Sequence, residues 1–361
     1  MTYTNHLHSV VIFLTFGYIL ILCNRKLSLP QIEFNKLSNS PSQLQESEFI
    51  SSFDRLQILK EKCASSFAAY KSKTCVSNQT DKDGFLRYPH TFIPLDCEEK
   101  APAKPIWGGD WIADKERKML FCLPPKSGCT SVNFIYQAMK TKNMTILSKE
   151  IYRDWKDSEK IYKIMPRVNQ QLQESNCLNS ASWKRAINIR HPFERLYSGW
   201  KDKFDTTKPY ARFFRKYAGL AKKYQTSEDK HTGDNYLVSF EAFLEWVSKV
   251  NEKVNNNHFK PMSYFCDPCE VDFTHVTQTE TLTQDVISFF KDVSYAPDIQ
   301  ILNFMDHPDK NYFALQKYPG SESAKTVFLD IATRKKPVIE KIYEYFYWDF
   351  ELFGYTADGY L

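Results

Sequence analysis

The apolar positions of this 361-residue chain change their spacing several times. The first run, Val10 to Cys23 (VVIFLTFGYILILC), is apolar on every face. Such a run suits a signal-anchor helix or the apolar core of a cleaved signal peptide, and a buried helix is a third reading. Residues 24 to 50 are rich in Ser, Asn, Gln and Pro and read as a solvated stem. From Glu48 to Tyr70 apolar side chains return at helical spacing, at Phe49, Phe53, Leu56, Leu59, Cys63 and Phe67. Thr74 to Pro105 is proline-rich, carries Cys75 and Cys97, and predicts an irregular lead-in.

The pattern tightens after Ile106. Lys118 to Leu123 is a short apolar run that predicts a buried strand, and Pro124-Pro125-Lys126-Ser127-Gly128 ends it. Cys129 to Lys140 has helical spacing, with Val132, Ile135, Tyr136 and Met139 on one face. Ala186 to Ile189 is a second buried strand, stopped by His191-Pro192. Phe193 to Phe204 then reads as a helix with Pro in its first turn. Further helices are predicted over 240–250, 283–291 and 340–347. Strands alternating with helices imply an α/β domain whose sheet is mainly parallel. The organisation expected is a short tail over 1–8, a signal-anchor over 9–23, a stem and lead-in over 24–104 and one α/β domain over 105–361.

Composition narrows the class. With 42% hydrophobic and 25% charged residues the chain is not disordered. No later run approaches the roughly 18 apolar residues of a spanning helix, which excludes a polytopic membrane protein. A formal charge of +5 is mild; it gives no argument for nucleic acid and fits a local pocket for an anion. Eight cysteines follow Cys23, at 63, 75, 97, 122, 129, 177, 266 and 269. That even count suits an oxidising lumen, as do the acceptor sequons at Asn78 and Asn143. The flank Arg25-Lys26 pulls towards a cytosolic bulk; the cysteines and sequons are weighed above it.

Two segments can handle phosphate or sulfate. Around Lys126, a strand, a small-residue loop and a helix turn backbone N–H groups and the helix dipole towards one point. Lys126 adds a charge, and Thr130 and Ser131 add hydroxyls. The loop is not a Walker A motif, because its lysine precedes the only glycine. The plain alternative is a strand-turn-helix with a surface lysine. In the second segment, Arg190 stands at a strand end and Ser198 lies two turns into the next helix, so both can hold one phosphate. Glu194 and Arg195 read as an ion pair on a helix face. Cys266 and Cys269 lack the second pair that a zinc site needs, so disulfides to other cysteines are expected.

P-K-S-G-C-T-S (125–131) followed by R-H-P-F-E-R-L-Y-S-G-W-K-D-K-F (190–204) resembles the paired signatures of Golgi carbohydrate sulfotransferases, the chondroitin/dermatan 4-O- and HNK-1-type group above all. Asn257 to Pro261, Cys266-Asp267-Pro268-Cys269, Glu280-Thr281-Leu282 and Asp349 to Tyr355 also match in order. The resemblance covers about 105 to 355. It departs at Ser127-Gly128, at Val132-Asn133 and at Phe259, where the family pattern tends to have Val-Ala, Trp-Lys and Trp.

The resemblance implies a P-loop-like sulfotransferase fold and 3′-phosphoadenosine 5′-phosphosulfate as co-substrate, with no metal. Pro125, Lys126, Ser127, Gly128, Cys129, Thr130 and Ser131 would hold its 5′ end, and Arg190 and Ser198 its 3′-phosphate. Lys126 would be catalytic, with His258 as general base, Glu280 as an alternative base and His191 as a positioning group. The implied reaction moves a sulfonyl group to a glycan hydroxyl, in a Golgi enzyme with one membrane segment and a lumenal domain. A non-catalytic glycan-binding relative and a nucleotide-dependent phosphotransferase are the other classes that fit parts of the pattern.

Overall fold

The computed structural model describes residues 51–74, 110–142, 180–207, 211–227, 229, 236–250, 256–266, 268–269, 271–295 and 323–361. The apolar run 10–23, the stem, both sequons and Cys75, Cys97 and Cys177 lie outside them. Helix α1 spans Ser52–Thr74, and strands β1 and β2 span Asp110–Asp114 and Met119–Leu123. Helix α2, Cys129–Thr141, follows, then β3, Lys184–Ile189, and α3, Pro192–Phe204. Helices α4 (Arg215–Ala221) and α5 (Phe240–Val250), strand β4 (His275–Gln278), α6 (Leu282–Asp292) and α7 (Ala324–Phe353) complete the order.

The sheet runs β1-β2-β3-β4. β2, β3 and β4 are parallel, and β1 pairs antiparallel with β2, Trp111 opposite Cys122. The expected mainly parallel α/β sheet is therefore present, with helices on both faces. Every residue of β2 is buried, which is why its sequence is a continuous apolar run rather than an alternating one. Met119, Phe121 and Leu123 face α2 and α6, whose Phe134, Ile135, Val286 and Phe289 fill that layer. Leu120 and Cys122 face the other layer, with Ile187, Val276, Phe265, Leu352 and Leu59. A third cluster joins α3, α5 and α7 through Phe193, Phe204, Phe243, Phe328 and Phe346.

Helix α1, from the expected lead-in, belongs to the same compact unit as the sheet. Helix α1 covers the edge of the sheet. Ser52 Oγ and Arg55 Nε both donate to the Val276 carbonyl at 3.0 Å, and Arg55 pairs with Asp285 at 2.5 Å. A disulfide joins Cys63 of α1 to Cys269, and another joins Cys122 of β2 to Cys266. Both cysteines of the Cys-x-x-Cys segment are thus cross-linked to distant parts of the chain, as expected. Strands β1 and β4 were not legible as strands; they stand here because they pair with buried neighbours. Helix α7 is far longer than the predicted 340–347 and carries Pro337, with Lys335 at non-helical φ −136° where the proline breaks the ladder.

One side chain ties the motif segments together. Arg195 is fully buried and does not pair with Glu194 as its sequence suggests. Its Nε donates to the Pro125 carbonyl at 2.7 Å, Nη1 to Lys260 at 2.5 Å and Nη2 to Asn257 at 3.1 Å. Burial pushes it down to about 10, so it keeps its charge at neutral pH, and the buried Asp349 carboxylate counters that charge. Asp349 itself accepts from the backbone N–H groups of Met262 and Ser263 at 2.6 and 2.7 Å. Replacing Arg195 by Leu leaves three carbonyls unsatisfied and a buried carboxylate uncompensated. A loss of about 3–5 kcal/mol in urea unfolding is expected. Arg195→Lys recovers less than half, because one ammonium cannot fork to three acceptors. A loss below about 1 kcal/mol for Arg195→Leu would contradict this role.

Candidate active site

The loop between β2 and α2 is shaped by two left-handed residues, Lys126 at φ +71° and Gly128 at φ +84°. Glycine takes that conformation freely; lysine does so under strain. A Cβ at Gly128 would stand 3.2 Å from Leu282 and 3.3 Å from Asn188, so a side chain there would push on both, in addition to the strain of its positive φ. Left-handed residues alternating through a loop turn successive N–H groups to one side, the geometry of an anion-binding nest. No side chain caps the α2 N-terminus at Gly128, and none caps the α3 N-terminus at His191. The two helix starts, each next to a cation, fit an anionic ligand.

Ser127 builds the loop from within. It is fully buried, its Oγ donates to the Pro124 carbonyl at 2.6 Å, and its own carbonyl accepts from Asn188 Nδ2. Thr277 Oγ1 holds Asn188 in turn at 2.7 Å. The hydroxyl of Ser127 therefore shapes the loop. Pro125 contributes through its carbonyl to Arg195. Cys129 and Thr130 are half-buried in the first turn of α2 and Ser131 is buried. Cys129 takes no part in either disulfide.

Lys126 and Arg190 come together. Arg190 Nη1 donates to the Lys126 carbonyl at 3.2 Å, while its Nη2 lies 3.8 Å from Glu194. Ser198 is half-buried on α3. Lys126 Nζ reaches Asp202 at 3.2 Å, and Asp202 also pairs with Lys203 at 2.9 Å. Sequence reasoning gave Asp202 and Lys203 no role. The available signal was the stripe Arg195, Ser198, Asp202 on one side of α3.

His258 stands in the same electrostatic neighbourhood. Burial, then the charges of Lys203 and Lys126, push its imidazole down to about 2. Its backbone N–H and Nδ1 both meet Asn256 Oδ1 at 2.9 Å, so Nδ1 carries the proton and Nε2 the lone pair. Among the described residues, no group of three or more His, Cys, Asp or Glu side chains could hold a metal ion.

Glu280 is engaged elsewhere. Its carboxylate accepts from the His191 N–H at 2.9 Å and from Tyr355 OH at 3.2 Å. His191 is itself held in place by the C-terminal segment. Nε2 meets the Thr356 carbonyl at 2.9 Å and its ring stacks on Tyr360 at 4.4 Å. Tyr360 OH donates to Glu194 at 3.0 Å, so the C-terminal segment braces the carboxylate beside Arg190.

Residues 110–356 match the sequence pattern of the Sulfotransferase family. The chain belongs to that family. Among its relatives, human (Homo sapiens) carbohydrate sulfotransferase 9 is 22% identical over 250 residues, 68% of this chain and 53% of that protein. Mouse (Mus musculus) carbohydrate sulfotransferase 11 is 23% identical over 263 residues, 69% of this chain and 68% of that protein. Human carbohydrate sulfotransferase 10 is 24% identical over 271 residues, covering 70% and 68%. The chain thus spans about half the length of the first of these relatives. No solved structure matches the chain significantly.

The histidines set a direction for pH dependence. Burial pushes His191 down to about 4 and lowers His275 as well. Unfolded histidines titrate near 6.5, so below that pH the unfolded chain binds protons that the folded chain refuses. The stability is present above about pH 6.5 and is lost as pH falls towards the folded values. Asp349, pushed up to about 6 by burial, opposes this by one proton below pH 6. The net effect is a denaturation midpoint that falls from pH 7 to 4.5. His258→Gln is expected to flatten that slope by about 1.4 kcal/mol per pH unit. An unchanged slope in the variant would contradict a low His258 pKa.

Proposed function

We propose that this chain is a carbohydrate O-sulfotransferase that moves a sulfonyl group from 3′-phosphoadenosine 5′-phosphosulfate to a hydroxyl of a glycan, chondroitin-like or related. The observation that carries this reading is the placing of Lys126. Its amine rises from a strained left-handed loop at an uncapped helix start, with Arg190 bonded to the same residue's carbonyl and His258 within range of its charge.

When bound, the co-substrate supplies the sulfonyl group and a bisphosphate leaving group. Pro125 to Ser131 present the loop and the first turn of α2 to its 5′ end. Arg190 and Ser198 face the 3′-phosphate from the end of β3 and from α3. Lys126 counters negative charge on the departing oxygen, an interaction that strengthens as the bond breaks. His258 takes the acceptor's hydroxyl proton on Nε2 once the charges of Lys203 and Lys126, which after burial hold its pKa low, are offset by the bound anion. Asp202, between Lys126 and Lys203, holds the lysine amine in place. A P-loop-like sulfotransferase fold is part of this reading, supported by the strand-loop-helix around Lys126.

The setting proposed is the Golgi lumen, with a single-pass type II anchor over 9–23 or, alternatively, secretion after signal cleavage. Two disulfides in the described residues support an oxidising compartment. Among the described residues no helix is long and apolar enough to cross a membrane, and the run 10–23 lies outside them.

Incubation with ³⁵S-labelled co-substrate and a glycan panel tests the reading. Transfer to a sugar is expected. Lys126→Ala should lower it by about 10²-fold or more. Arg190→Ala should weaken 3′,5′-adenosine bisphosphate binding about tenfold or more, as loss of a charged hydrogen bond does. Tight bisphosphate binding without transfer would favour a non-catalytic glycan-binding protein. ATP-dependent phosphorylation would favour a phosphotransferase.

A further inference from the structure

The positive charge of this chain is not evenly spread. Between Thr206 and Ser227 it carries six Lys and Arg and no Asp or Glu, whereas the excess over the whole chain is five. Outside this stretch the protein is close to neutral. The described part of the stretch is a 3₁₀ turn over Ala211–Phe214, helix α4 and a second turn over Lys222–Tyr224. Its inner side is fixed: Ala218 and Ala221 are buried, and Phe214, Tyr217 and Tyr224 pack on the cluster shared by α3 and α5. Its outer side exposes Arg212, Arg215, Lys216, Lys222 and Lys223. None of these five forms an ion pair among the described residues. An ordinary solvated face mixes both signs.

An exposed aromatic ring sits among the cations. Phe213 is 65% exposed, with the Arg212 guanidinium 4.9 Å from its centroid. A flat apolar ring flanked by positive charge suits a sugar that presents a C–H face and carries acidic groups. Lipid is a poorer fit, because α4 has seven residues and its surroundings expose only Phe213 and Leu220 as large apolar side chains.

The inner side of the segment touches the proposed reactive centre. The Phe214 ring lies edge-on to His258 at 6.0 Å, with Lys203 Nζ 5.2 Å from its centroid. Lys203 pairs with Asp202, and Asp202 with Lys126. An acceptor whose hydroxyl reaches His258 would therefore lie next to the segment that carries these cations. We infer that the exposed face of 212–223 is the acceptor-binding surface, and that it takes an anionic polysaccharide whose carboxylate or sulfate groups lie along Arg212, Arg215, Lys216, Lys222 and Lys223. This rests on the transferase reading and adds to it the residues that select the acceptor.

The test uses R215Q/K216Q/K222Q/K223Q, none of which lies in the proposed catalytic or co-substrate machinery. Wild type and variant are titrated with labelled unsulfated chondroitin, carboxyl-reduced chondroitin, phosphatidylserine vesicles and 3′,5′-adenosine bisphosphate. Expected are wild-type binding to chondroitin over its neutral form, an affinity about tenfold weaker in the variant, and a flatter dependence on salt between about 50 and 200 mM. Bisphosphate affinity should be equal in both proteins, which also reports an intact fold. The pairs R215Q/K216Q and K222Q/K223Q, made separately, should each lose about threefold. Unchanged chondroitin affinity in the variants would overturn the assignment. So would wild-type preference for the vesicles over chondroitin. Wild-type failure to bind the bisphosphate would instead defeat the underlying transferase reading.

Discussion

The guanidinium of Arg195 donates to the carbonyls of Pro125, Asn257 and Lys260 from a fully buried position. These three acceptors belong to two segments separated by more than a hundred residues in sequence, and α3 supplies the donor. The loop that presents Lys126 and the turn that presents His258 therefore share one anchor. Burying such a charge is costly unless its donors are satisfied, and here three backbone carbonyls and the field of Asp349 do that. Asp349 extends the same network to Met262 and Ser263. The two halves of the site cannot drift apart without leaving a charge unmet.

Around that anchor, the polar groups of the site divide between shaping and chemistry. Ser127, Asn188 and Thr277 are consumed in holding the loop against β3 and β4. Glu280, Tyr355 and His191 lock the C-terminal segment over the ends of the same strands. Lys126, Arg190 and Lys203 remain as cations, restrained by Asp202 and Glu194. Positive charge surrounds His258, which stays neutral and keeps a lone pair on Nε2. A multiply charged anion in this site would relieve the repulsion among these cations.

Much of this was legible in the sequence where pattern and local chemistry agree. Helices α2, α3, α5 and α6 lie within a residue or two of their predicted spans, because each carries one strong apolar stripe. Lys126 and Arg190 were singled out from the junctions of strand, loop and helix, and the fold brings them together. What escaped depends on contacts distant in sequence. β4, His-Val-Thr-Gln, has one large apolar residue and is a strand through its pairing with β3. The first half of α7 was hidden by Pro337 and the polar run Thr333 to Lys336. Arg195 was read as a surface ion pair because Glu194 is its neighbour in sequence; its real partners are brought to it by tertiary folding. Asp202 stood inside the recognised motif, yet only the folded geometry shows that it holds Lys126.

The proposed anion site lies between the start of α2 and the start of α3. Hydrogen–deuterium exchange of the full chain, with and without 3′,5′-adenosine bisphosphate, tests this directly. Added protection is expected in the backbone amides of 126–131 and 190–198, with little change in the remote helix α1. Protection confined to other elements, or none at saturating bisphosphate, would contradict it.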